Sequence, residues 1–189
     1  MAQFSGSVAI TGVGETRIGR VPEFGCFQLY ALAAKEAIED AGLTLADIDG
    51  VLTIDSMAEP YRIHCTVFSE YMGIRSTYSN TSANGGATSC EMVAHAAAAI
   101  HAGFCKNVLI VTADKLMTGL TRDQAVSALA ENAGHPQYER PFGPLIPAMY
   151  ALAANRHMHE YGTTPEHLAE VAVTMRRHAG LNPNAQARD

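Results

Sequence analysis

The chain has 189 residues, 48% of them hydrophobic and 17% charged, which is enough apolar material to bury a core and is the composition of a globular protein of one or two domains. Its net charge of −6, with no basic stripe beyond Arg176-Arg177, argues against a surface built for phosphate backbones, so nucleic-acid binding is excluded. The four cysteines (Cys26, Cys65, Cys90, Cys105) show no zinc-like grouping, no apolar run reaches membrane-spanning length, and the start MAQFSGSVAITG lacks a basic region ahead of an apolar core, so we expect a cytoplasmic protein with reduced thiols, no metal and no membrane contact.

Val8 to Thr11 is a short β-branched run closed by Gly12 and Gly14, and predicts a buried strand leading into a glycine turn. Gly12-x-Gly14 lacks the third glycine and the immediate helix of a dinucleotide-binding loop, so a tight turn is the better reading. From Phe27 the apolar positions Tyr30, Ala31, Ala34, Ile38 and Ala41 recur at helical spacing, with Lys35, Glu36, Glu39 and Asp40 opposite and Gly42 at the stop. Val51 to Ile54 is a second strand candidate. Strand, helix, strand in this order predicts a parallel α/β layer. A helix over Pro60 to Gly73 follows, with Ile63, Val67, Phe68 and Tyr71 as its apolar side, then a strand from Ser76 to about Thr81.

Ser79 to Gly103 (SNTSANGGATSCEMVAHAAAAIHAG) is the most distinctive stretch. A polar turn at Asn84, Gly85 and Gly86 runs into a helix made largely of alanine, which stops at Gly103. Small side chains let neighbouring backbones approach on all sides, so this helix is expected in the middle of a domain. The turn before it brings free N–H groups and the positive end of a helix dipole to one point, suited to an oxyanion, a phosphate or a thiolate. Asn107 to Ala113 is a continuous apolar run of strand length, as expected where both sheet faces are covered.

Asp114 to Pro147 is rich in Gly, Pro, Asn and Thr, interrupted by a helix-like Arg122 to Asn132, and reads as an insertion over one end of the sheet. Beyond it lie two amphipathic helices. Pro147 suits the start and Gly162 the stop of the first; Thr164-Pro165-Glu166 opens the second, whose apolar stripe is Leu168, Val171, Ala172, Met175 and Ala179. His157, His159 and Glu160 lack zincin spacing, and positions i and i+2 of a helix point apart, so they are read as surface residues.

The frame around Gly86, ending in Ile100-His101-Ala102-Gly103, resembles the thiolase superfamily, and within it the sterol-carrier-type thiolases also called lipid-transfer proteins. Supporting pieces run along nearly the whole chain: VAITGVGE from Val8, ALAAKEAIEDAG from Ala31, Pro141-Phe142-Gly143, YALAANRHMHEYGTTPEHLAEVA from Tyr150, and Leu181 to Gln186. In that family an Asn-x-x-Cys-x-x-Gly turn opens a buried small-residue helix and the cysteine is acylated by acyl-CoA. Here the nucleophile's position falls on Gly86, and the cysteine is absent. Gly134-His135-Pro136 is similar to a motif of the family's second half but sits in the insertion, and is read as coincidence.

The resemblance implies an α/β, layered αβαβα thiolase-like fold, with residues 1–113 as its N-terminal half, 114–189 as a loop and helical insertion segment, and the C-terminal half absent. It implies an acyl-CoA substrate, coenzyme A entering only as part of that substrate with no other cofactor, a homodimer paired along the strand before Asn84, and a small OB-fold partner associated with acyl-CoA. The remaining catalytic groups of a thiolase belong to the second half. Three functions stay open: retro-aldol carbon-carbon cleavage without an acyl-enzyme, with the Gly86 N–H helping to hold an oxyanion; acyl transfer by a substitute thiol, Cys90, which shares the face of Gly86 at i+4; and a non-catalytic acyl-CoA or lipid scaffold. Tyr138, Arg140 and Phe142 are candidates for substrate contact.

Overall fold

The computed structural model describes residues 6–143, 145–186 and 188, and separates into two compact units, 1–16 with 21–115 and 17–20 with 116–189. Met1 to Ser5, part of the stretch read for a targeting signal, lie outside the described residues. Among the described residues no helix is long and apolar enough to cross a membrane.

In the first unit the expected strand-helix alternation yields a three-stranded parallel sheet. Its strands are β1 (Gly50–Ile54), β2 (Tyr78–Ser82) and β3 (Val108–Val111), in the order β2-β1-β3. Gly50 is opposite Tyr78 on one side and Val108 on the other. The helices are α1 (Cys26–Asp40), α2 (His64–Met72) and α3 (Thr88–His101). Parallel neighbours need crossovers, and those crossovers cover both faces of the middle strand. Val51, Leu52 and Thr53 accordingly have 0% exposure. Tyr30, Ala34 and Ile38 of α1 and Phe68 of α2 pack with Val51, Leu109 and Val111 on one face; Met92 and Ala96 of α3 pack with Leu52, Tyr78, Val108 and Ile110 on the other.

α3 ends where the sequence places its stop: Gly103 takes φ +76, and Phe104 N–H returns to Ala99 O at 3.0 Å, closing a left-handed C-cap. Its expected place in the middle of a domain is not what the described residues show. Thr88, Met92, Ala96 and Ala99 are buried on the sheet, whereas Cys90, Val93, Ala94 and Ala98 are exposed, because no described element of this unit packs on the outer side.

The first predicted strand also differs. Val8 to Thr11 belongs to an extended segment with no ladder partner, and it faces the outer edge of β3 across a cleft of about 810 Å³. The segment is held on α1 instead, where Val13 N–H donates to Asp40 Oδ2 at 2.9 Å and Glu15 N–H to Glu36 Oε2 at 2.9 Å. Gly12 and Gly14 make this approach possible, since a Cβ at either would lie 2.2 Å from a carbonyl oxygen of α1, Ala37 O and Ala33 O respectively. They are packing glycines, consistent with rejecting the dinucleotide loop.

The second unit is helical: α4 (Leu116–Gly119), α5 (Arg122–Ala133), α6 (Ile146–Tyr161) and α7 (Pro165–Ala179). Thr121 and Gln124 cap α5 reciprocally, with Gln124 N–H donating to Thr121 Oγ1 at 3.3 Å and Thr121 N–H to Gln124 Oε1 at 2.9 Å. Pro147 sits in the first turn of α6, Gly162 ends it at φ +68, and Pro165 opens α7 after Thr164, as the sequence predicts. The apolar stripe of α7, with Leu168, Val171 and Met175, is exposed.

Because the methyl of Gly14→Ala would sit 2.2 Å from Ala33 O and 2.5 Å from Ala37 N, both backbone atoms, this substitution is expected to cost about 1–3 kcal/mol. Urea unfolding checks it; an unchanged midpoint would mean that the segment does not rest on α1.

Candidate functional site

The three strands finish together at one edge of the sheet, the edge where parallel α/β layers collect ligands. Three connections meet solvent there: Asp55–Glu59 after β1, Ala83–Ala87 after β2, and Asp114–Lys115 after β3. They are tied by carboxylates. Asp114 accepts from Ser56 Oγ at 3.2 Å, Met57 N–H at 2.7 Å, Ala58 N–H at 3.3 Å and Lys115 N–H at 2.7 Å. Glu59 accepts from Cys26 N–H at 2.9 Å, satisfying the start of α1, and pairs with Lys115 Nζ, which also donates to Phe24 O at 3.2 Å. The Lys115 contact, followed by the Cys26 N–H, holds the Glu59 carboxyl below its ordinary range, and Glu59 in turn raises Lys115.

Cys26 is not a reactive thiol. It is 2% exposed, its Sγ lies 3.2 Å from Ser56 Oγ, and burial pushes its pKa up, which favours the thiol over the nucleophilic thiolate. Tyr30 donates its phenol proton to Ile54 O at 2.6 Å, and burial raises its pKa well above the usual phenol value. Behind these groups a second chain of hydrogen bonds runs from α2 into the sheet: Cys65 N–H donates to Thr81 Oγ1 at 3.0 Å, Thr81 Oγ1 lies 3.4 Å from Thr53 Oγ1, and Thr53 Oγ1 lies 3.1 Å from His64 Nδ1.

The glycine turn forms one 3-10 turn, Gly85–Ala87, ahead of α3. Thr88 organises it: its hydroxyl donates to Gly85 O at 2.7 Å and accepts from Asn84 N–H at 2.9 Å, while the residue itself is 2% exposed. Gly85 adopts φ +57, which favours glycine, but Gly86 does not have positive φ and a Cβ there would meet no heavy atom within 4 Å. Among the described residues there is therefore room for a side chain at Gly86. Gly86 is exposed at the positive end of a 14-residue helix, a setting that favours negative charge. Cys90, one turn later, is exposed on α3.

Tyr138, Arg140 and Phe142 belong to the second unit, not to the one carrying Gly86 and Cys90. Tyr138 stacks on His135 with ring centroids 4.7 Å apart, the Arg140 guanidinium donates to Glu131 O at 2.6 Å and Gly134 O at 3.3 Å, and Phe142 is 85% exposed. His157 bonds Thr163 Oγ1 at 2.9 Å and Glu160 pairs with Arg156, all on exposed surface. Sequence reasoning overlooked Asp114, Lys115, Glu59 and Ser56. Their one signal is position, since polar residues directly after apolar strand runs in a parallel layer fall at its ligand-binding edge.

No family model matches the chain. It is 34% identical over 192 aligned residues to a "Steroid side-chain-cleaving aldolase" of Thermomonospora curvata, covering 98% of this chain and 48% of that protein. It is 31% identical over 188 residues to "17-hydroxy-3-oxo-4-pregnene-20-carboxyl-CoA lyase" of Mycobacterium tuberculosis, covering 96% and 47%. Among solved structures, the "Ltp2-ChsH2(DUF35) aldolase" superposes with TM-score 0.73 at 31% identity, over 95% of this chain and 45% of that one. The chain thus spans about half the length of the relatives it matches. The parallel α/β layer and the likeness to that aldolase structure give the chain a thiolase-like fold. Within that class its homologues are the aldolases allied to the sterol-carrier-protein-2 thiolases.

Two outcomes follow from the site. Gly86→Cys should fold with stability within about 0.5 kcal/mol of the parent and present a thiol that alkylating reagents label; a large loss in the urea midpoint would show that the open space is filled. Glu59→Gln should cost ~0.5–1 kcal/mol at neutral pH, kept small by solvent screening. Because the folded carboxyl of Glu59 lies below its unfolded value of 4.5, its stabilisation is present above pH 4.5 and is lost as pH falls through the folded pKa. The gap between parent and variant should therefore close in acid; a gap independent of pH would refute the pairing.

Proposed function

We propose that these 189 residues are part of an acyl-CoA lyase that cleaves a carbon-carbon bond by retro-aldol chemistry, in the breakdown of a lipid or sterol side chain. The observation that carries the reading is Gly86. It stands exposed at the N-terminal turn of α3, where the thiolase resemblance places an acylated cysteine, and it supplies no thiol. A 3-hydroxyacyl thioester loses its hydroxyl proton to a base, the bond between Cα and Cβ breaks, a ketone or aldehyde departs, and the thioester enolate takes a proton at Cα. No acyl-enzyme forms in this sequence. The enolate oxygen needs only fixed hydrogen-bond donors, which the start of α3 offers.

The similarity to a steroid side-chain-cleaving aldolase and to a carboxyl-CoA lyase supports both the reaction class and the substrate class. Coenzyme A then enters as part of the substrate and no further cofactor is called for. The proposed partners are a second copy, pairing along the outer edge of β2, and a small OB-fold protein; the two components of the similar Ltp2-ChsH2 aldolase support a partner protein. Four free cysteines agree with a cytoplasmic site of action.

Incubating the full-length protein, with its partner where one co-purifies, with a 3-hydroxyacyl-CoA branched at C3 should release a ketone and a shortened acyl-CoA in equal amounts, followed by mass spectrometry. Alkylation of Cys90 should leave that rate unchanged within about twofold, because the proposed reaction uses no thiol. Acylation of Cys90 in place of cleavage would favour acyl transfer, and no binding of any acyl-CoA would favour neither.

A further inference from the structure

His64 has 0% exposure, yet among the described residues only one of its ring nitrogens has a partner. Nδ1 lies 3.1 Å from Thr53 Oγ1, while Nε2 is buried without a hydrogen bond. Aromatic rings occupy the space around it, with centroids 4.8 Å away at Tyr30 and 5.1 Å at Phe27. Thr81 Oγ1 accepts from Cys65 N–H and lies beside Thr53 Oγ1, so His64 closes a short polar chain that begins at a backbone amide of its own helix. In the neutral ring one nitrogen carries a proton and the other accepts, and Nδ1 pairs with the Thr53 hydroxyl in either tautomer.

Protonation makes the ring a donor at both nitrogens, and the Nε2 proton of the cation then lies buried with no acceptor among the described residues. The new charge would also sit at the first residue of α2, at the positive end of the helix dipole, with no contacting carboxylate. The neighbouring ionisable groups do not repair this. α1 contributes Tyr30, whose phenol is committed to Ile54 O, and Cys26, and α2 its own Cys65. β2 presents Thr81 and no charge. Beyond β1, Asp55 accepts from Tyr61 N–H, and beyond β3, Asp114 already takes four donors. Burial holds the imidazole below its ordinary value of 6.5, against a partial pull from Asp55 and Asp114.

We propose that His64 is an acid-sensitive latch: neutral, it fixes the first turn of α2 against β1 and β2, and on protonation it releases that turn while the rest of the sheet stays formed. The sign follows from the low folded pKa. The released turn binds the proton more readily than the closed one, so closure is complete above pH 6.5 and weakens as pH falls below it. The turn lies at the same sheet edge as the Asp55–Glu59 connection, so its release would loosen that connection as well.

Hydrogen exchange on the full chain between pH 7.5 and 5.0, corrected for intrinsic rates, tests the latch. Amides of Cys65 to Phe68 should lose protection by about tenfold per pH unit below about 6.5, with β1 and α3 unchanged, and in His64→Gln, which keeps a partner for Thr53 but does not titrate, the dependence should vanish. The same dependence in H64Q, or an equal loss across β1 and α3, overturns the proposal. Should H64Q fail to fold, the Cε1 proton of His64 in the parent decides. Titration below the ordinary imidazole value of 6.5, in step with shifts at Cys65 and Thr81, supports the latch, and titration at that ordinary value overturns it.

Discussion

The first unit depends on the complete burial of a single strand. β1 is five residues long and must lose water on both faces at once, so each neighbour it pairs with obliges the chain to cross over it. One crossover deposits α2 on the face of Val51; the other, from β2 to β3, deposits α3 on the face of Leu52. The turn at Gly86 and the carboxylates of Glu59 and Asp114 occupy one edge because parallel strands all end in the same direction. The candidate site is a by-product of topology before it is a matter of chemistry.

That topology was legible because burial on both faces leaves a strong mark in the sequence. Asn107 to Ala113 and Val51 to Ile54 are continuous apolar runs, and α1, α3, α6 and α7 carry their own periodicity and stops. Val8 to Thr11 carries the same β-branched mark yet forms no ladder and is largely exposed, with Ile10 at 76%, because the mark reports a preference for cover and not the neighbour that would provide it. The carboxylates of α1 take the N–H groups of Val13 and Glu15 instead. The helix expected at Pro60 begins instead at His64, one consequence of the loop from Asp55 to Glu59 being drawn toward Asp114.

Of the site, Gly86 was visible only through the spacing of a resemblance, since an isolated glycine after Asn84 and Gly85 looks like any turn. Asp114, Lys115 and Glu59 were not visible, because ion pairs between residues 56 positions apart leave no periodic trace. His64 was hidden for the opposite reason: it sits among apolar residues of a helix, and its difference from them lies in one unmatched nitrogen.

The empty space above Gly86 has a genetic reading. A glycine codon and a cysteine codon can differ by one base, and no neighbouring atom stands in the way of the larger residue. Among the described residues, a side chain could therefore be gained or lost at this turn by a single nucleotide change, with no compensating repair of the core that this unit forms.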